Sequence, residues 1–427
     1  MKKEDDSVVI TGAALVSSIG KTASETWDAL LSGKHGILPI KDFDAQGFQC
    51  RVAAQVHGLE PSSLGVHPRD ARIMDKHSYM LLKCARDAFT QSNLDKTSVK
   101  GEDIGFFAGM GMVDYKVEDL MPSIMKSLDS ELNLDYNAFY SGGYQEIYPL
   151  WPLSMLNNIT FCQVAISLNL KGENAVFSPH SDSGAQAIIE GMNAIRDKRA
   201  KAVLAGGVSE KVSPLSLARA HLFKILNTSD KNGEMLCRPF AANRKGTILG
   251  EGCGMLTLES RSSAKKRDVP SLASITGYGF AFESEEEFSG PKASAISQAM
   301  KESIDRAEIK PSDIDVIIAH GDGTNIGDKN EIEAIHEVFS DCLNKVNVYS
   351  SKGALGHLLA GAAAADIVLA IYMIKNGIVP VTLNSVPLEK DIKFNLVHES
   401  SLKVIPKIIM VNCQCYEGQC VSVIIES

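Results

Sequence analysis

Two stretches of the chain are apolar and small almost all the way round a helix, and few folds can accommodate them. One runs Gly184-Ala-Gln-Ala-Ile-Ile-Glu-Gly-Met-Asn-Ala-Ile195, the other Leu358-Leu-Ala-Gly-Ala-Ala-Ala-Ala-Asp-Ile-Val-Leu-Ala-Ile371. A surface helix carries a polar stripe; these largely do not, so both belong in an interior where Gly and Ala let backbones approach closely. The second is a little short for the ~20 residues of a membrane span and carries Asp366, so it reads as a buried helix. Each follows a loop holding a reactive-type residue, Ser181 before the first and His357 before the second. Two buried helices that begin near the same chemistry suggest an internally duplicated fold.

What surrounds them is an alternation. Val8–Thr11, Ile104–Ala108, Ala202–Ala205 and Val316–Ala319 are short apolar runs of the kind buried in a sheet covered on both faces. Helical patterns lie between, at Thr22–Ser32, Ala71–Gln91 and Lys292–Ala307. This predicts an α/β architecture with largely parallel sheets. At 427 residues, two or three lobes are expected, and a net charge of −9 makes nucleic acid a poor partner. No membrane span is expected. Nine cysteines, an odd and scattered set, argue for a reducing, cytoplasmic setting.

The second half reads Ile318-Ala-His320-Gly-Asp322-Gly-Thr324-Asn-Ile-Gly-Asp-Lys-Asn-Glu331, then Ser351-Lys352-Gly-Ala-Leu-Gly-His357. Upstream lie Gly250-Glu251-Gly-Cys-Gly254 and Leu204-Ala-Gly-Gly-Val-Ser-Glu210. In this order and spacing they resemble the β-ketoacyl synthases of the thiolase superfamily, from about Val8 to the C-terminus. The resemblance implies a layered αβαβα fold of two similar halves, residues 1–259 and 260–427, divided near Glu259 to Ser263. It also implies a dimer in which a strand at about Asn174 to Ser178 pairs across a two-fold. His320 and His357 fall on the family's two histidines, Lys352 on its lysine and Glu251 on its glutamate partner. In the family a cysteine at a buried helix N-terminus is acylated, and neutral imidazoles support decarboxylation of malonyl-carrier and condensation.

The nucleophile does not match. Pro179-His-Ser181-Asp-Ser-Gly184 stands where the family reads Thr-Ala-Cys-x-Ser-Gly, placing Ser181 at the cysteine position. A serine hydroxyl needs a dedicated base to accept an acyl group. Asp322 replaces a threonine that touches the pantetheine arm. The family's C-terminal Asn-Ser-Phe-Gly-Phe-Gly-Gly loop reads Asn412-Cys-Gln414-Cys415-Tyr-Glu417-Gly418, with Gln414 in place of the gating phenylalanine.

The resemblance is strongest to a chain-length factor, the cysteine-less subunit that pairs with a cysteine-bearing ketosynthase in type II polyketide synthesis and shapes the acyl tunnel. Such factors often carry glutamine at the cysteine position and lack the histidines, so Ser181 with both histidines departs from that pattern. Met110, Met112, Tyr148, Leu150, Trp151 and Gln414 are the expected tunnel or interface residues. The expected partners are the ketosynthase and an acyl carrier protein whose phosphopantetheine arm reaches the partner's site; no resident cofactor is expected. The alternatives are a serine-based acyltransferase or hydrolase, or a malonyl-carrier decarboxylase, using Ser181, His320 and His357. His180 is expected to be structural, Cys413, Cys415 and Cys420 to be ordinary buried thiols, and no metal is expected, because the histidines lack ligand-like spacing.

Overall fold

One five-stranded pattern occurs twice. The computed structural model describes residues 7–427 except 113, 116, 179, 230–235 and 286–289, and at 154 the main chain only. In the first half the strands are β1 (Val8–Ser17), β2 (Ile104–Met110), β3 (Asn174–Phe177), β4 (Ala202–Val208) and β5 (Gly252–Ser260), arranged β1-β5-β4-β2-β3. In the second they are β6 (Ala273–Phe282), β7 (Val316–Ile318), β8 (Asn347–Tyr349), β9 (Ile408–Gln414) and β10 (Gln419–Glu426), arranged β6-β10-β9-β7-β8. The first and second pairings in each order are antiparallel and the third and fourth parallel. The halves meet edge to edge only at Val9–Ser274 and Ile10–Ala273.

The expectation of largely parallel sheets is therefore corrected. Only the outer strands of each half are parallel; the long strands β1, β5, β6 and β10 all run antiparallel to a neighbour. The β9–β10 hairpin turns through 415–418, a connection too short for a parallel crossover.

Six helices complete the layers: α1 (Lys76–Gln91), α2 (Asn157–Leu168), α3 (Ser183–Arg196), α4 (Ala293–Ala307), α5 (Asn325–Val338) and α6 (Ala362–Asn376). α1 covers β1 and β5, and α4 covers β6 and β10, with α5 packed on α4. α3 and α6 touch each other between the two halves of the sheet, α3 on β2 and β4, α6 on β5 and β9. Strand residues alternate accordingly: Phe107 joins the central core while Phe106, Ala108 and Met110 join the layer under α1. In the same way Val316 and Ile318 face the centre and Ile317 faces α4 and α5. Both faces are covered, which is why these runs are continuously apolar.

The small residues explain themselves here. A Cβ at Gly184 or Gly207 would collide with the Ala360 carbonyl, so the start of α3 can lie against the turn that leads into α6 only because those positions are glycine. Residues Leu359–Asn376 are long and apolar enough for a membrane span, yet 78% of that stretch is buried inside the protein. The helix expected over Ala71–Gln91 begins at Lys76 instead: Asp75 caps it, accepting the Ser78 N–H at 3.2 Å, and Asp70–Ile73 form a separate 3₁₀ turn.

Candidate active site

His320 follows β7 and His357 precedes α6, and the layers bring their rings to 4.9 Å, edge to face. Both side chains are buried. The Gln414 N–H donates to Nδ1 of His320 and the Leu359 N–H to Nδ1 of His357, each at 3.2 Å. An Nδ1 that accepts leaves the proton on Nε2, so both imidazoles are held as Nε2–H donors. Leu359 adopts φ +45 to aim its N–H, a left-handed conformation that costs about 1–2 kcal/mol in a non-glycine residue. Burial and the Lys352 charge hold His357 down at about 3. Burial, followed by His357 and Lys352, puts His320 well below the usual histidine range. Both rings are neutral at physiological pH.

Lys352 is almost fully buried, and its Nζ lies 2.6 Å from Asp366 Oδ2, while the Ser351 hydroxyl donates to Oδ1 at 2.7 Å. Burial opposes the Lys352 charge, but the Asp366 carboxylate overcomes it and raises the pKa above the ordinary value. Glu331 holds the His320 loop to β9: its carboxylate accepts from the N–H of His320 at 2.9 Å and Gly321 at 2.8 Å, and from the Asn412 side chain at 3.2 Å.

Glu251 is not part of this group. The expectation that it partners Lys352 is corrected: both Glu251 oxygens contact Lys76 Nζ, and they also accept from the main-chain N–H of Val56 and Val212. Those bonds fix it within the first half of the molecule, where it orders loops. The partner of Lys352 is Asp366, and its signal was present in the sequence as a lone charge in an otherwise apolar buried helix, which demands a counter-ion.

Ser181 lies at the start of α3, and its side chain is buried, with no hydrogen-bond partner for Oγ. It lines a narrow cavity with Met112, Glu210, Arg219, Ala220, Ile225, Leu359 and Tyr416. The two histidines line a different one, with Asp322, Thr324, Gly327, Gln414 and Cys415. Ile225 and Tyr416 border both. Ser181 and the two histidines thus line neighbouring cavities that share Ile225 and Tyr416. Tyr416 brings the 415–418 turn, read from the sequence only through Gln414 in place of the gating phenylalanine, to the border of both.

Asp322 projects into the histidine compartment. Its Oδ1 accepts from the Thr324 N–H at 2.8 Å and hydroxyl at 2.7 Å, and Oδ2 lies 3.8 Å from His320 Nε2. Burial raises its pKa. Gln414 is buried with neither amide atom bonded, and it lines this same compartment. His320, Asp322 and His357 bring ligand-type atoms within 4.8 Å of one another, yet a metal does not suit them. A ligating histidine ordinarily donates its second ring N–H to an acceptor, whereas here both Nδ1 atoms face N–H donors.

The other tunnel candidates separate. Met112 shares the Ser181 cavity. Met110 does not: its side chain points to the α1 layer, one residue out of phase with the central face, and that expectation is corrected. Tyr148 is exposed, Leu150 half-buried, and Trp151 packs edge-on against Tyr115 at 5.9 Å; none of the three lines either compartment. The three C-terminal thiols are all buried. Cys413 Sγ donates to the Ser181 carbonyl at 3.1 Å, Cys415 Sγ to Glu417 at 2.5 Å and Cys420 Sγ to the Ala281 carbonyl at 3.4 Å. His180 Nδ1 lies 2.7 Å from the other Glu417 oxygen. Two thiols distant in sequence therefore sit beside Ser181, a juxtaposition that no local spacing announced.

Comparison with known proteins places this geometry. Models of the β-ketoacyl synthase N-terminal and C-terminal domains match residues 5–264 and 272–386. A 3-oxoacyl-(acyl-carrier-protein) synthase 2 of Coxiella burnetii is 31% identical over 378 residues, 88% of each chain. One of the same name from Staphylococcus aureus is 27% identical over 391 residues, 91% of each. Among solved structures, the ishigamide ketosynthase/chain length factor superposes with a TM-score of 0.86 at 24% identity over 99% of both chains. A type II polyketide ketosynthase, in complex with its acyl-carrier protein and bound to the hexaketide, gives 0.84 at 22% identity over 99% of both. At such identities the structural likeness speaks for the fold alone.

Proposed function

Because the chain belongs to the β-ketoacyl synthase family, we propose that it is a non-elongating, ketosynthase-like subunit of the chain-length-factor kind. It would pair with a cysteine-bearing synthase and shape the acyl tunnel while the chain grows on an acyl carrier protein. One observation carries this reading: the residue at the nucleophile position is a serine whose buried hydroxyl has no hydrogen-bond partner and so touches no base. Ser181 Oγ has no route for its proton, so nothing activates it. Asp322 weighs in the same direction, since it sets a carboxyl 3.8 Å from His320 Nε2. The names of the curated relatives favour a complete condensing enzyme; the missing thiol argues against one.

A paired role is supported by surface features. β3 ends its sheet with one edge unpaired, and Met125, Leu132, Tyr136 and Tyr140 stand exposed on the segment between β2 and α2. An open strand edge and exposed apolar side chains each favour association with another chain. The phosphopantetheine arm would then reach the partner's cysteine, and this chain would need no cofactor of its own.

A second reading has one observation in its favour. Two neutral Nε2–H donors side by side suit stabilisation of an enolate oxygen, so the histidine compartment fits decarboxylation of malonyl-carrier without condensation. Native mass spectrometry of the tagged chain from its own host separates these. A mixed dimer with a second ketosynthase-like subunit, and no acyl mass on this chain, is expected. A homodimer bearing an acyl adduct at Ser181 overturns the proposal. Release of carbon dioxide from malonyl-carrier by this chain alone, abolished by His320→Ala, replaces it with the second reading.

A further inference from the structure

The turn that borders both cavities carries a second chemical cluster. His180 comes from the loop before α3, and Cys415 and Glu417 come from the β9–β10 turn. One ligand-type atom of each lies within 4.8 Å of the others. A single carboxylate joins them: Glu417 Oε1 stands 2.7 Å from His180 Nδ1, and Oε2 accepts from Cys415 Sγ at 2.5 Å. The 2.7 Å contact sets the imidazole directly against the carboxylate, so Nδ1 faces an anionic oxygen of the same cluster. An imidazole nitrogen, a thiol and a carboxylate converging in this way are the three donor types that borderline divalent cations select.

We propose that His180, Cys415 and Glu417 form a binding site for a borderline divalent cation, zinc foremost. Binding forms metal–nitrogen, metal–sulfur and metal–oxygen bonds. The thiol proton, and any proton on the imidazole, pass to solvent. No oxidant or reductant is involved. The fourth position falls to water, because the His180 and Glu417 side chains keep 32% and 16% of their surface open to solvent while Cys415 is buried. The His320, Asp322 and His357 group differs, since its Nδ1 atoms are each engaged by a main-chain N–H, whereas His180 Nδ1 faces the Glu417 carboxylate. An ion here would tie the 414–418 turn to the Ser181 loop, fixing Tyr416 at the border of the two cavities. That goes beyond the subunit role and does not depend on it.

The test uses the full-length chain, treated with a chelator and titrated with cobalt(II). The expected result is a thiolate-to-cobalt charge-transfer band that saturates at one ion per chain and is displaced by zinc. Cys415→Ser removes the band and His180→Asn weakens binding, while Cys413→Ser and His320→Ala retain it. Should Cys415→Ser fail to fold, the His180→Asn and His320→Ala pair still decides, because only the former touches the proposed site. Absence of a band, or a band unchanged in Cys415→Ser or His180→Asn, overturns the proposal. No acyl substrate is present in this titration, so its outcome is independent of the subunit assignment.

Discussion

The loop entering α6 and the loop entering α3 occupy equivalent places in the two halves, and they are finished to very different degrees. Between residues 350 and 361 no buried side-chain nitrogen or oxygen lacks a hydrogen-bond partner. Ser351 and Lys352 meet Asp366, and His357 meets Leu359. Between 180 and 182, by contrast, Ser181 Oγ and Asp182 Oδ1 are buried without one, and His180 Nδ1 meets only the Glu417 carboxylate. Burying a polar group without a partner costs free energy, so such groups persist where little depends on their chemistry or where something else completes them. The loop entering α6 satisfies its own buried polar groups, whereas the loop entering α3 does not.

The comparison is broken most forcefully at Lys352. Lys352→Met leaves Asp366 charged and buried alone, and about 3–5 kcal/mol of unfolding free energy should be lost in a denaturant melt. Lys352→Met combined with Asp366→Leu should recover most of it, since an apolar pair of similar size replaces both charges. A loss below ~1 kcal/mol in the single variant would mean that the α6 loop is no better supported than its counterpart.

The next effect is in pH. His357 titrates at about 3 when folded against an ordinary histidine value of about 6.5, so the unfolded chain binds its proton first as pH falls. The contribution is complete above pH ~6.5 and is lost progressively down to the folded value, amounting to about 2 kcal/mol by pH ~5. His320 is shifted in the same direction. Melts between pH 7 and 5 should show this decline, and His357→Asn should flatten it by close to one proton. An unchanged slope in that variant would remove the claim that His357 is held neutral.

Ser181 should give the smallest effect. Ser181→Ala removes an unpaired hydroxyl rather than a bond, so stability should stay within about 1 kcal/mol of the parent or rise. A clear loss would reveal a partner for Oγ and would raise the standing of the serine as a chemical group.

Much of this arrangement was legible in the residues. The two small-residue helices had to be central, because no polar stripe could face water. The strand expected at 174–178 is β3, at 174–177. The histidines were found by motif, and each does end up against the other. What stayed hidden depends on facing and on distance. Met110 misleads because a run apolar at every position does not say which residue faces which layer. Glu251 and Asp366 are both buried carboxylates, and only the path of α6 decides which of them meets Lys352. The place of Tyr416 could not be read at all: it borders both cavities because the β9–β10 turn folds back against loops more than fifty residues away in sequence.

The free edge of β3 has a consequence for anyone who handles this protein. Its outer main-chain donors and acceptors form a short template, and no strand among the described residues pairs with it. Made alone and concentrated, the chain is exposed to strand-on-strand clumping at this ledge, and the same ledge is where a co-produced companion would act as a solubiliser. Yield and dispersity should therefore depend on the company in which the polypeptide is synthesised more than on temperature or salt.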